Sequence, residues 1–362
     1  MTVSGDLSGS VGDRRRSVSA GAGQKAPSRA RVSRRAPSKP SVHPRPAAPG
    51  PAGRSSQTDI PCDRDSFRFS AGGQTVELTN LRKVFWPALG LTKRDLLQYY
   101  AEIAPVLVPH LRRRAMVMKR YPNGIAGKFF FMKRAPSPRP ESIEICPIPH
   151  PSAGVIDFPV VEDLPSLLWV VNLGCIDLNP WYARCDDVHR PDYLHFDLDP
   201  TPGAVFSHVR DVALRVHDAL EALKIPCYAK TTGSRGIHVY APIVRGPLQK
   251  QVWGFAKQLA QTLAAQYPRL ITSEYRVAKR PEKHVLVDYN QNAWGRTLAS
   301  VYSVRPRERA TVSTPVRWEE VKRGIEIEDF RMDNVPARVR RLGDLWKPLL
   351  SEKGRVRLDR FL

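Results

Sequence analysis

The sequence predicts an α/β protein in which a mixed sheet carries helices on one face. Short runs such as "IHVYAPI" (237–243) alternate between two faces, which is the period of a strand. Longer runs such as residues 207–223 repeat apolar residues every three or four positions, which is the period of a helix. Between about residues 191 and 290 these runs follow the order β-α-β-turn-β-α-β, and this order favours a mixed sheet.

The N-terminal part of the predicted folded region, about residues 68–190, begins with a short strand in "QTVELT" (74–79). A Pro/Gly loop follows, and Thr92 is positioned to cap a helix whose apolar residues recur at helical spacing. Strands are predicted on either side of the Pro-Asn-Gly turn at 122–124. The run "PSLLWVVNLGCIDLNPW" (165–181) predicts a buried helix followed by a strand.

The second part, about residues 191–350, begins with the predicted strand "DYLHFDLDP" (192–200). Ser207 is positioned to cap a helix that ends at about Leu223, and a strand around "PCYAK" (226–230) follows. The turn "TTGSRG" (231–236) leads into the strand "IHVYAPI", and a second helix is predicted over about residues 248–267. Two further strands are predicted at "SEYRV" (273–277) and "HVLVDYN" (284–290).

The composition favours a polyanionic partner. The 362 residues include 57 Lys and Arg against 35 Asp and Glu, a formal net charge of +22, which suits a nucleic acid or an anionic membrane surface. No apolar run has the length of a membrane span and no apolar signal core lies near the start, so we expect a soluble, intracellular protein. The five cysteines never form a CxxC pair, which argues against a disulfide framework and a zinc site.

Residues 1–60 have the composition of a disordered, basic tail. They contain no Phe, Trp or Tyr, seven prolines, and 11 Lys and Arg against three acids. Such a segment cannot bury enough apolar surface to offset the entropy lost on ordering. Its basic clusters either contact phosphates non-specifically or have no role. Residues 61–362 form the predicted folded domain.

Two aspartates lie two residues apart in the strand "DYLHFDLDP". Because side chains alternate along a strand, Asp197 and Asp199 share one face, and the two leucines and Phe196 share the other. Neighbouring carboxylates repel each other unless a cation lies between them, so a divalent metal is one explanation. The other is that the strand simply runs into an Asp-Pro turn at residues 199–200.

A third acid, Asp288, lies on the largely apolar strand "HVLVDYN". Acids are rarely buried without a partner. Three such acids suit a phosphoryl-transfer site that holds two cations about 3.5–4 Å apart. A structural salt bridge with an arginine or lysine would explain Asp288 equally well.

The stretch "KTTGSRGIHVY" (230–240) contains residues suited to binding an anion. Gly233 and Gly236 allow a sharp turn whose backbone N–H groups face a phosphate. His238 lies on the strand that leaves the turn. Further donors and positive charge come from Lys230, Ser234 and Arg235. The alternative is a turn without a binding function.

The stretch "GKFFFMKR" (127–134) places three phenylalanines, residues 129–131, between lysines. In a strand they cannot all face the core, so at least one should be exposed. Exposed aromatic rings among cations stack nucleic-acid bases and hold the backbone. The alternative is a core strand whose lysines extend past it to solvent.

Four stretches in this order resemble the archaeo-eukaryotic primase superfamily: "DYLHFDLDP", "KTTGSRGIHVYAP", "VLVDYNQNAWGRTLASVYSVR" and "VSTPVRWEEV". More closely, they resemble the polymerase domain of bacterial ligase D and its stand-alone actinobacterial relatives. The resemblance covers about residues 68–350 and leaves out the tail. It implies a primase-like catalytic core with an N-terminal αβ extension.

The resemblance also implies an activity. Such proteins are template-dependent nucleotidyltransferases that fill short gaps during DNA end joining or excision repair. They use two divalent cations, Mn²⁺ or Mg²⁺, and prefer ribonucleotides. The implied partners are gapped or broken DNA with a 5′-phosphate, NTPs and dNTPs, a separate DNA ligase and an end-binding protein. We expect a monomer without membrane contact, in the cytoplasm at the nucleoid.

By resemblance, individual residues receive roles. Asp197, Asp199 and Asp288 would be the catalytic acids that bind metal. The incoming nucleotide would be held by Lys230, Ser234, Arg235, His238 and Arg305. Lys83 and Lys93 would hold the 5′-phosphate on the far side of a gap. The template would contact Arg120, Phe129 and Phe130.

Two departures from the family pattern affect these assignments. Where the relatives commonly have a histidine near the bound nucleotide, this chain has Asn179, which puts sugar recognition in question. Where they tend to have an arginine shortly before the third aspartate, this chain has Pro281 and Glu282. Arg280 or Lys283 would substitute, and we favour Arg280.

Two other functions fit part of the sequence. A catalytically silent module could recruit a ligase to gapped DNA through Lys83, Lys93 and the phenylalanines, but three acids facing DNA would weaken a pure binder. A metal-dependent glycosyltransferase could hold a nucleotide sugar through Asp197 and Asp199. That function leaves Asp288 and the basic surplus unexplained.

Overall fold

The structure, a computed structural model, describes residues 59–150 and 152–362. The predicted tail lies outside the described residues except for Asp59 and Ile60. Ile60 is fully buried, and its N–H donates to Gln98 Oε1 at 2.9 Å. All described residues belong to one unit, which includes both predicted parts of the folded region. Within these ranges, every helix is too short or too polar to cross a membrane.

The N-terminal part consists of small antiparallel sheets around two helices, α1 (Lys93–Leu111) and α2 (Leu164–Asn172). Strands β5, β6 and β9 form a three-stranded sheet in the order β6-β5-β9, and the others pair as β1–β2, β3–β4 and β7–β8. The strands are β1 (Ser66–Ala71), β2 (Gln74–Thr79), β3 (Val84–Trp86), β4 (Leu91–Thr92), β5 (Met116–Arg120), β6 (Phe130–Met132), β7 (Ile145–His150), β8 (Gly154–Pro159) and β9 (Cys175–Pro180).

Helix α1 begins at the predicted cap. The Asp95 N–H donates to Thr92 Oγ1 at 3.4 Å, and the Thr92 N–H donates to Asp95 Oδ2 at 2.8 Å, so each residue satisfies the other's free backbone group. The predicted strands around the 122–124 turn are β5 and β6. The β7–β8 hairpin was not predicted, because Pro147 and Pro149 argue against a strand.

A six-stranded mixed sheet forms the second part, in the order β13-β14-β10-β12-β11-β15. Neighbouring strands are antiparallel except β13 and β14, and helices α3 and α4 both contact β10. The strands are β10 (Tyr193–Pro200), β11 (Tyr228–Thr231), β12 (Ile237–Pro242), β13 (Ile271–Thr272), β14 (Val285–Asp288) and β15 (Pro315–Val316). The helices are α3 (Phe206–Ala222), α4 (Gln249–Gln266), α5 (Trp318–Arg323) and α6 (Val335–Leu342).

Two local predictions were wrong. Helix α3 begins one residue before Ser207, after Val205, whose side chain forms no cap and whose N–H donates to His208 Nδ1 at 3.3 Å. The segment "SEYRV" (273–277) does not form a strand, and the nearest strand, β13, ends just before it at Thr272. Thr272 Oγ1 accepts from the N–H of Glu274, and Glu274 Oε1 accepts from the N–H of Arg276. Local side chains thus take the N–H groups that a sheet would have used.

A buried ion cluster joins distant segments of the chain. Asp192 accepts two hydrogen bonds of 2.8 Å from Arg114 and one of 2.8 Å from Arg184 Nε. A guanidinium nitrogen of Arg355, close to the C-terminus, lies 3.8 Å from the same carboxylate. Asp192, Arg114 and Arg355 are almost fully buried, so the cluster ties the first, middle and last parts of the domain together.

Candidate active site

The register of the six-stranded sheet brings three predicted residues side by side. On β10, Asp197 lies opposite His238 of β12 on one side and opposite Asp288 of β14 on the other. Directly opposed residues project from the same face of a sheet with their Cβ atoms about 4.5–5.5 Å apart. Asp199 follows two residues later on the same face of β10. The strand pairing therefore assembles the acids from positions some 90 residues apart.

The carboxylates of β10 are crowded and poorly hydrated. Burial, and then the negative charge of Asp288, raises the pKa of Asp197 to about 7. The charge of Asp197, and then burial, raises the pKa of Asp199 to about 7. Asp197 Oδ1 is buried and makes no well-aligned hydrogen bond among the described residues, although His238 Nε2 lies 3.1 Å away. A site of this kind favours either protons or a bound cation.

The three acids fit divalent cations, which take carboxylate oxygens as ligands. Asp288 is already oriented: its Oδ1 accepts from the Asn290 N–H at 2.8 Å, and its Oδ2 accepts from Gln291 Nε2 at 2.9 Å. The lack of a well-aligned hydrogen bond to Asp197 Oδ1 is a second observation in favour of a cation, because a buried oxygen normally has such a bond.

Within the described residues, another group of three side chains is close enough to share a single metal ion. It consists of His217, Asp218 and Glu221 on α3, whose ligand atoms, one from each, lie within 4.8 Å of one another. The three aspartates are not as close together as this. We favour the aspartates, because ligands shared between two cations need not all lie that close. Asp218 and Glu221 are exposed to water, and His217 packs on Trp318 with ring centres 4.3 Å apart.

The glycine turn is built for close approach to β10 rather than for presenting amides. A Cβ atom on Gly236 would lie 2.2 Å from the Leu198 carbonyl oxygen, so only glycine fits there. The prediction that the turn's N–H groups face a phosphate was wrong. Thr232 Oγ1 accepts from the N–H groups of residues 234, 235 and 236 at 3.1, 3.2 and 3.0 Å.

Lys230 and His238 form a buried pair behind the acids. Lys230 is fully buried and donates to Ala299 O at 2.9 Å and to Ser313 Oγ at 2.5 Å. Its Nζ lies 2.7 Å from His238 Nδ1, and His238 Nε2 lies 3.1 Å from Asp197 Oδ1. Burial lowers the pKa of both groups, which keeps His238 neutral. Lys230 contacts His238 rather than the acids, although its charge also opposes the rise in the pKa of Asp197. Its full burial leaves the side chain without surface open to a triphosphate.

The predicted nucleotide-binding arginines lie around the turn. Arg305 donates to the Thr232 carbonyl at 2.5 Å, and Arg307 donates to Ser234 Oγ. The positive charge of Arg235 opposes the rise in pKa of both Asp197 and Asp199, so it acts on the same acids. The charge of Arg280 also opposes the rise in the pKa of Asp199, and its guanidinium donates to the carbonyls of residues 274 and 275 at 3.1 and 3.0 Å.

Two residues near the site were not singled out from sequence. Asp177 on β9 is buried, its Oδ1 has no hydrogen-bond partner, and its Oδ2 lies 3.4 Å from Arg305 Nε. An acid inside the apolar run "GCIDLNPW" was the available signal. Arg307 adds a cation beside Ser234 that the motif did not identify. Asn179, also buried, donates from Nδ2 to the Asp177 carbonyl at 2.9 Å.

The two lysines predicted for the 5′-phosphate are neighbours. The Lys93 N–H donates to the Lys83 carbonyl at 2.8 Å. Lys93 is only 4% exposed and donates from Nζ to Thr79 O at 2.6 Å, while Lys83 is exposed and donates to Asn123 Oδ1 at 2.7 Å. Burial, and then repulsion from Lys83, lowers the pKa of Lys93 to about 8, and Arg120 adds to that repulsion. Cations that repel one another favour a bound anion.

The same edge of the protein carries a ridge of aromatic rings and cations. Phe129, Phe130 and Phe131 are 51%, 45% and 60% exposed, so all three face solvent. Lys119 Nζ lies 4.3 Å from the ring centre of Phe129, and the Arg120 guanidinium lies 5.2 Å from that of Phe130. Nearby, the Trp86 indole donates to the Arg307 carbonyl at 2.9 Å, which links β3 to the arginine beside Ser234.

Comparison with known proteins identifies the family. The structure resembles the polymerase domain from Mycobacterium tuberculosis ligase D in complex with DNA, with a TM-score of 0.72 and 30% sequence identity over 76% of this chain and 98% of that one. The multifunctional non-homologous end joining protein LigD of Mycolicibacterium smegmatis is 33% identical over 278 residues, and the bifunctional LigD of Bacillus subtilis is 29% identical over 269. These matches cover 76% and 74% of this chain but only 36% and 43% of the relatives. The sequence model described as LigD, primase-polymerase domain matches residues 92–346, and the chain belongs to this family.

Proposed function

We propose that this protein is a template-dependent nucleotidyltransferase, a primase-polymerase that fills short gaps in DNA during the repair of broken ends. Its family membership supports the activity, and the names of its relatives support the pathway. The observation that carries the proposal is the register that sets Asp197 between His238 and Asp288. That arrangement joins three acids to a turn edged by arginines.

Asp197, Asp199 and Asp288 would hold two divalent cations, Mn²⁺ or Mg²⁺. When bound, the cations would lower the pKa of a primer 3′-hydroxyl and neutralise charge on the departing pyrophosphate. The raised pKa values of Asp197 and Asp199 support this role, because a cation stabilises the ionised pair that burial disfavours.

The remaining residues of the site would bind and orient the nucleotide. Arg235, Arg305 and Arg307, with Ser234, lie where a triphosphate would approach the acids, and they would supply orientation and positive charge without a covalent step. Neutral His238 receives a hydrogen bond at Nδ1 from Lys230, which leaves its proton on Nε2 beside Asp197. His238 would thus donate to the nucleotide or to Asp197 in a fixed orientation.

The DNA would lie along the adjacent surface, where the charges of Arg305 and Arg307 act on Lys119. The exposed phenylalanines with Lys119 and Arg120 would stack template bases, and Lys83 with Lys93 would hold the 5′-phosphate. Action on DNA would bring the protein to the nucleoid, where a separate ligase and an end-binding protein would complete the repair. We also propose a preference for ribonucleotides, with Asn179 as the residue whose replacement by His would change it.

Primer extension on gapped DNA with Mn²⁺ or Mg²⁺ and labelled NTPs or dNTPs tests the activity. We expect templated incorporation that is lost in Asp197→Ala and Asp199→Ala and kept in the matched control Asp218→Ala. Full activity in both β10 variants would refute the assignment. Binding of gapped DNA without incorporation by the wild type would favour the silent module instead. Transfer from a nucleotide sugar would favour the glycosyltransferase.

The repair role has its own test. Gap filling should be faster on DNA that carries a 5′-phosphate across the gap, and Lys83→Ala should remove this difference. Lys250→Ala, which also removes an exposed positive charge, should keep it. Equal rates on both substrates by the wild type would count against the gap-repair role while leaving the polymerase assignment intact.

A further inference from the structure

A cavity lies apart from the acids, between the β7–β8 hairpin and the loop that follows β14. Its volume is about 380 Å³, within the range of small-ligand sites. Its polar and aromatic lining comes from Lys133, His150, Trp181, Trp294 and Arg296. None of the residues assigned above to the metals, the triphosphate, the 5′-phosphate or the template lines it.

Two tryptophans form the aromatic wall of this cavity. Trp181 and Trp294 meet edge to face, with ring centres 5.1 Å apart and planes at 89°. Trp181 is buried and packs against Phe158 at 5.8 Å. Trp294 is 36% exposed, and His189 stacks on it at 4.7 Å with an interplanar angle of 16°. His189 therefore holds the ring of Trp294 in place, and part of the Trp294 surface stays exposed.

Three polar side chains of the cavity, those of Lys133, Trp181 and Arg296, lack partners among the described residues. The Trp181 Nε1 is buried, and its N–H has no acceptor among the described residues. Buried N–H groups are normally paired, so an acceptor from outside the chain fits here. Lys133 and Arg296 are exposed, and within the described ranges neither forms an ion pair or a side-chain hydrogen bond. Two such cations favour an anionic ligand.

We propose that this cavity binds one nucleotide of single-stranded DNA. The base would lie on the open surface of Trp294, an acceptor atom of the nucleotide would receive the Trp181 N–H, and Lys133 and Arg296 would contact its phosphates. An apolar ligand would leave the N–H and both cations without a partner. Lys133 directly follows β6, the strand of the exposed phenylalanines, so the cavity extends the same aromatic and cationic surface. The choice of DNA over a free nucleotide rests on the proposed function.

Photocrosslinking with two probes tests the site and the source of the nucleotide. The full-length protein is irradiated in the presence of EDTA with a short oligothymidylate carrying 5-iodouracil, or separately with 8-azido-ATP, and crosslinked peptides are identified by mass spectrometry. A crosslink of the oligonucleotide to Trp294 or Trp181 supports the proposal. A crosslink there by 8-azido-ATP alone keeps the nucleotide site but overturns its assignment to DNA. Absence of both overturns the proposal.

The affinity for the oligothymidylate, measured in matched variants, tests the roles of Trp294 and Lys133. Trp294→Ala should weaken binding of the oligothymidylate by about tenfold, the scale of one lost base–aromatic stack, whereas Trp294→Phe should stay close to the wild type. Lys133→Ala should weaken binding and flatten its salt dependence, and Lys250→Ala serves as the charge control. Because Trp294 and Lys133 are exposed, these variants should fold, which thermal melting verifies. Unchanged affinity in Trp294→Ala would contradict the stacking role.

This test is independent of catalysis. Binding in EDTA, without template or nucleoside triphosphate, does not involve the three aspartates. Loss of polymerase activity in Asp197→Ala alongside an intact Trp294 crosslink would therefore support both proposals. A protein that never polymerises but still crosslinks at Trp294 would lose only the proposed function, and one that polymerises without the crosslink would lose only this inference.

Discussion

Asp197 connects the parts of the candidate site at the scale of single residues. It has a histidine on one side, a carboxylate on the other, and an oxygen without a well-aligned hydrogen bond. A buried acid of this kind destabilises the fold whenever it is ionised and unpaired. Asp197 is therefore suited to function at the expense of stability. The loss in the free energy of unfolding that it causes should depend on pH and on bound metal.

In the metal-free protein, the contribution of Asp197 and Asp199 to stability should fall as the pH rises from about 5 to about 7, while the lowered pKa of buried His238 contributes in the opposite direction. Asp197 and Asp199 have pKa values of about 7 when folded, against 3.8 for a free aspartate. In this window the two folded carboxylates hold protons that the unfolded chain has lost, so through them each step up in pH favours unfolding. Thermal melting in EDTA measures the trend. The fall should be smaller in Asp199→Asn, and this difference isolates the pair from other titrating groups.

Mn²⁺ should reverse this trend. Cations bind the ionised carboxylates, so the stabilisation that the metal provides grows as the pH rises through 7. Melting curves at matched pH with and without Mn²⁺ give the comparison. A metal effect that is the same in Asp197→Asn and in the wild type would point to a different cation site, and Glu221→Gln tests the exposed trio on α3.

Lys230→Met should reduce activity more than stability. The fully buried ammonium donates to three acceptors, so a thioether of similar shape leaves them unpaired and should lower the melting temperature modestly. Nucleotide incorporation should drop by about tenfold or more, because His238 loses the donor that fixes its orientation. The His238 pKa, followed by NMR, should rise, since the charge of Lys230 helps to lower it. Wild-type activity together with an unshifted His238 would contradict the positioning role, and Lys250→Met is the control.

The turn between β11 and β12 is the element that determines how closely the site packs. Thr232 closes the turn by accepting three N–H groups, and Gly236 brings it against the Leu198 carbonyl. That contact lies between the two aspartates of β10. The distance between His238 and Asp197 therefore depends on the absence of a Cβ atom at Gly236.

Gly236→Ala should destabilise the protein by about 1–3 kcal/mol and abolish most nucleotide incorporation. Its added Cβ would lie 2.2 Å from the Leu198 oxygen, so β10 and β12 must separate at the position of Asp197. Urea unfolding and primer extension measure the two effects. Gly246→Ala is the matched control, because its Cβ would meet no atom within 4 Å. Equal stability of Gly236→Ala and Gly246→Ala would contradict the prediction, because it would show that the turn can move away from Leu198 at little cost in free energy.

Local patterns predicted the elements of the site but not their pairing. Alternation placed Asp197 and Asp199 on one face of a strand, and helical spacing with Thr92 located α1. The pairing of Asp197 with Asp288 depends on which strands neighbour each other, and no local pattern contains that information. Thr232 shows another limit of prediction from sequence. Its hydroxyl and a phosphate could both accept from the same N–H groups, and only the folded turn shows that the hydroxyl does so. The roles of the remaining site residues stay predictions.

For the whole molecule, Asp192 is the residue whose loss should cost the most stability. Its carboxylate neutralises arginines from three distant segments, and nearly all of this cluster is buried. Asp192→Asn should cost about 3–5 kcal/mol, because it leaves buried guanidinium groups without a counter-charge. Chemical unfolding measures the loss. Asp218→Asn, an exposed aspartate on α3, should change stability little, and equal effects would refute the role of the cluster.

The Trp86–Arg307 hydrogen bond has a consequence for how the two sides of a gap are sensed. Trp86 ends the strand that follows Lys83, and Arg307 donates to Ser234, so hydrogen bonds connect the proposed 5′-phosphate site to the proposed nucleotide site. Linkage is reciprocal: if an occupied phosphate site raises nucleotide affinity by some factor, the nucleotide must raise phosphate affinity by the same factor. A gap with both ends present would then be bound cooperatively, and a lone end would be released.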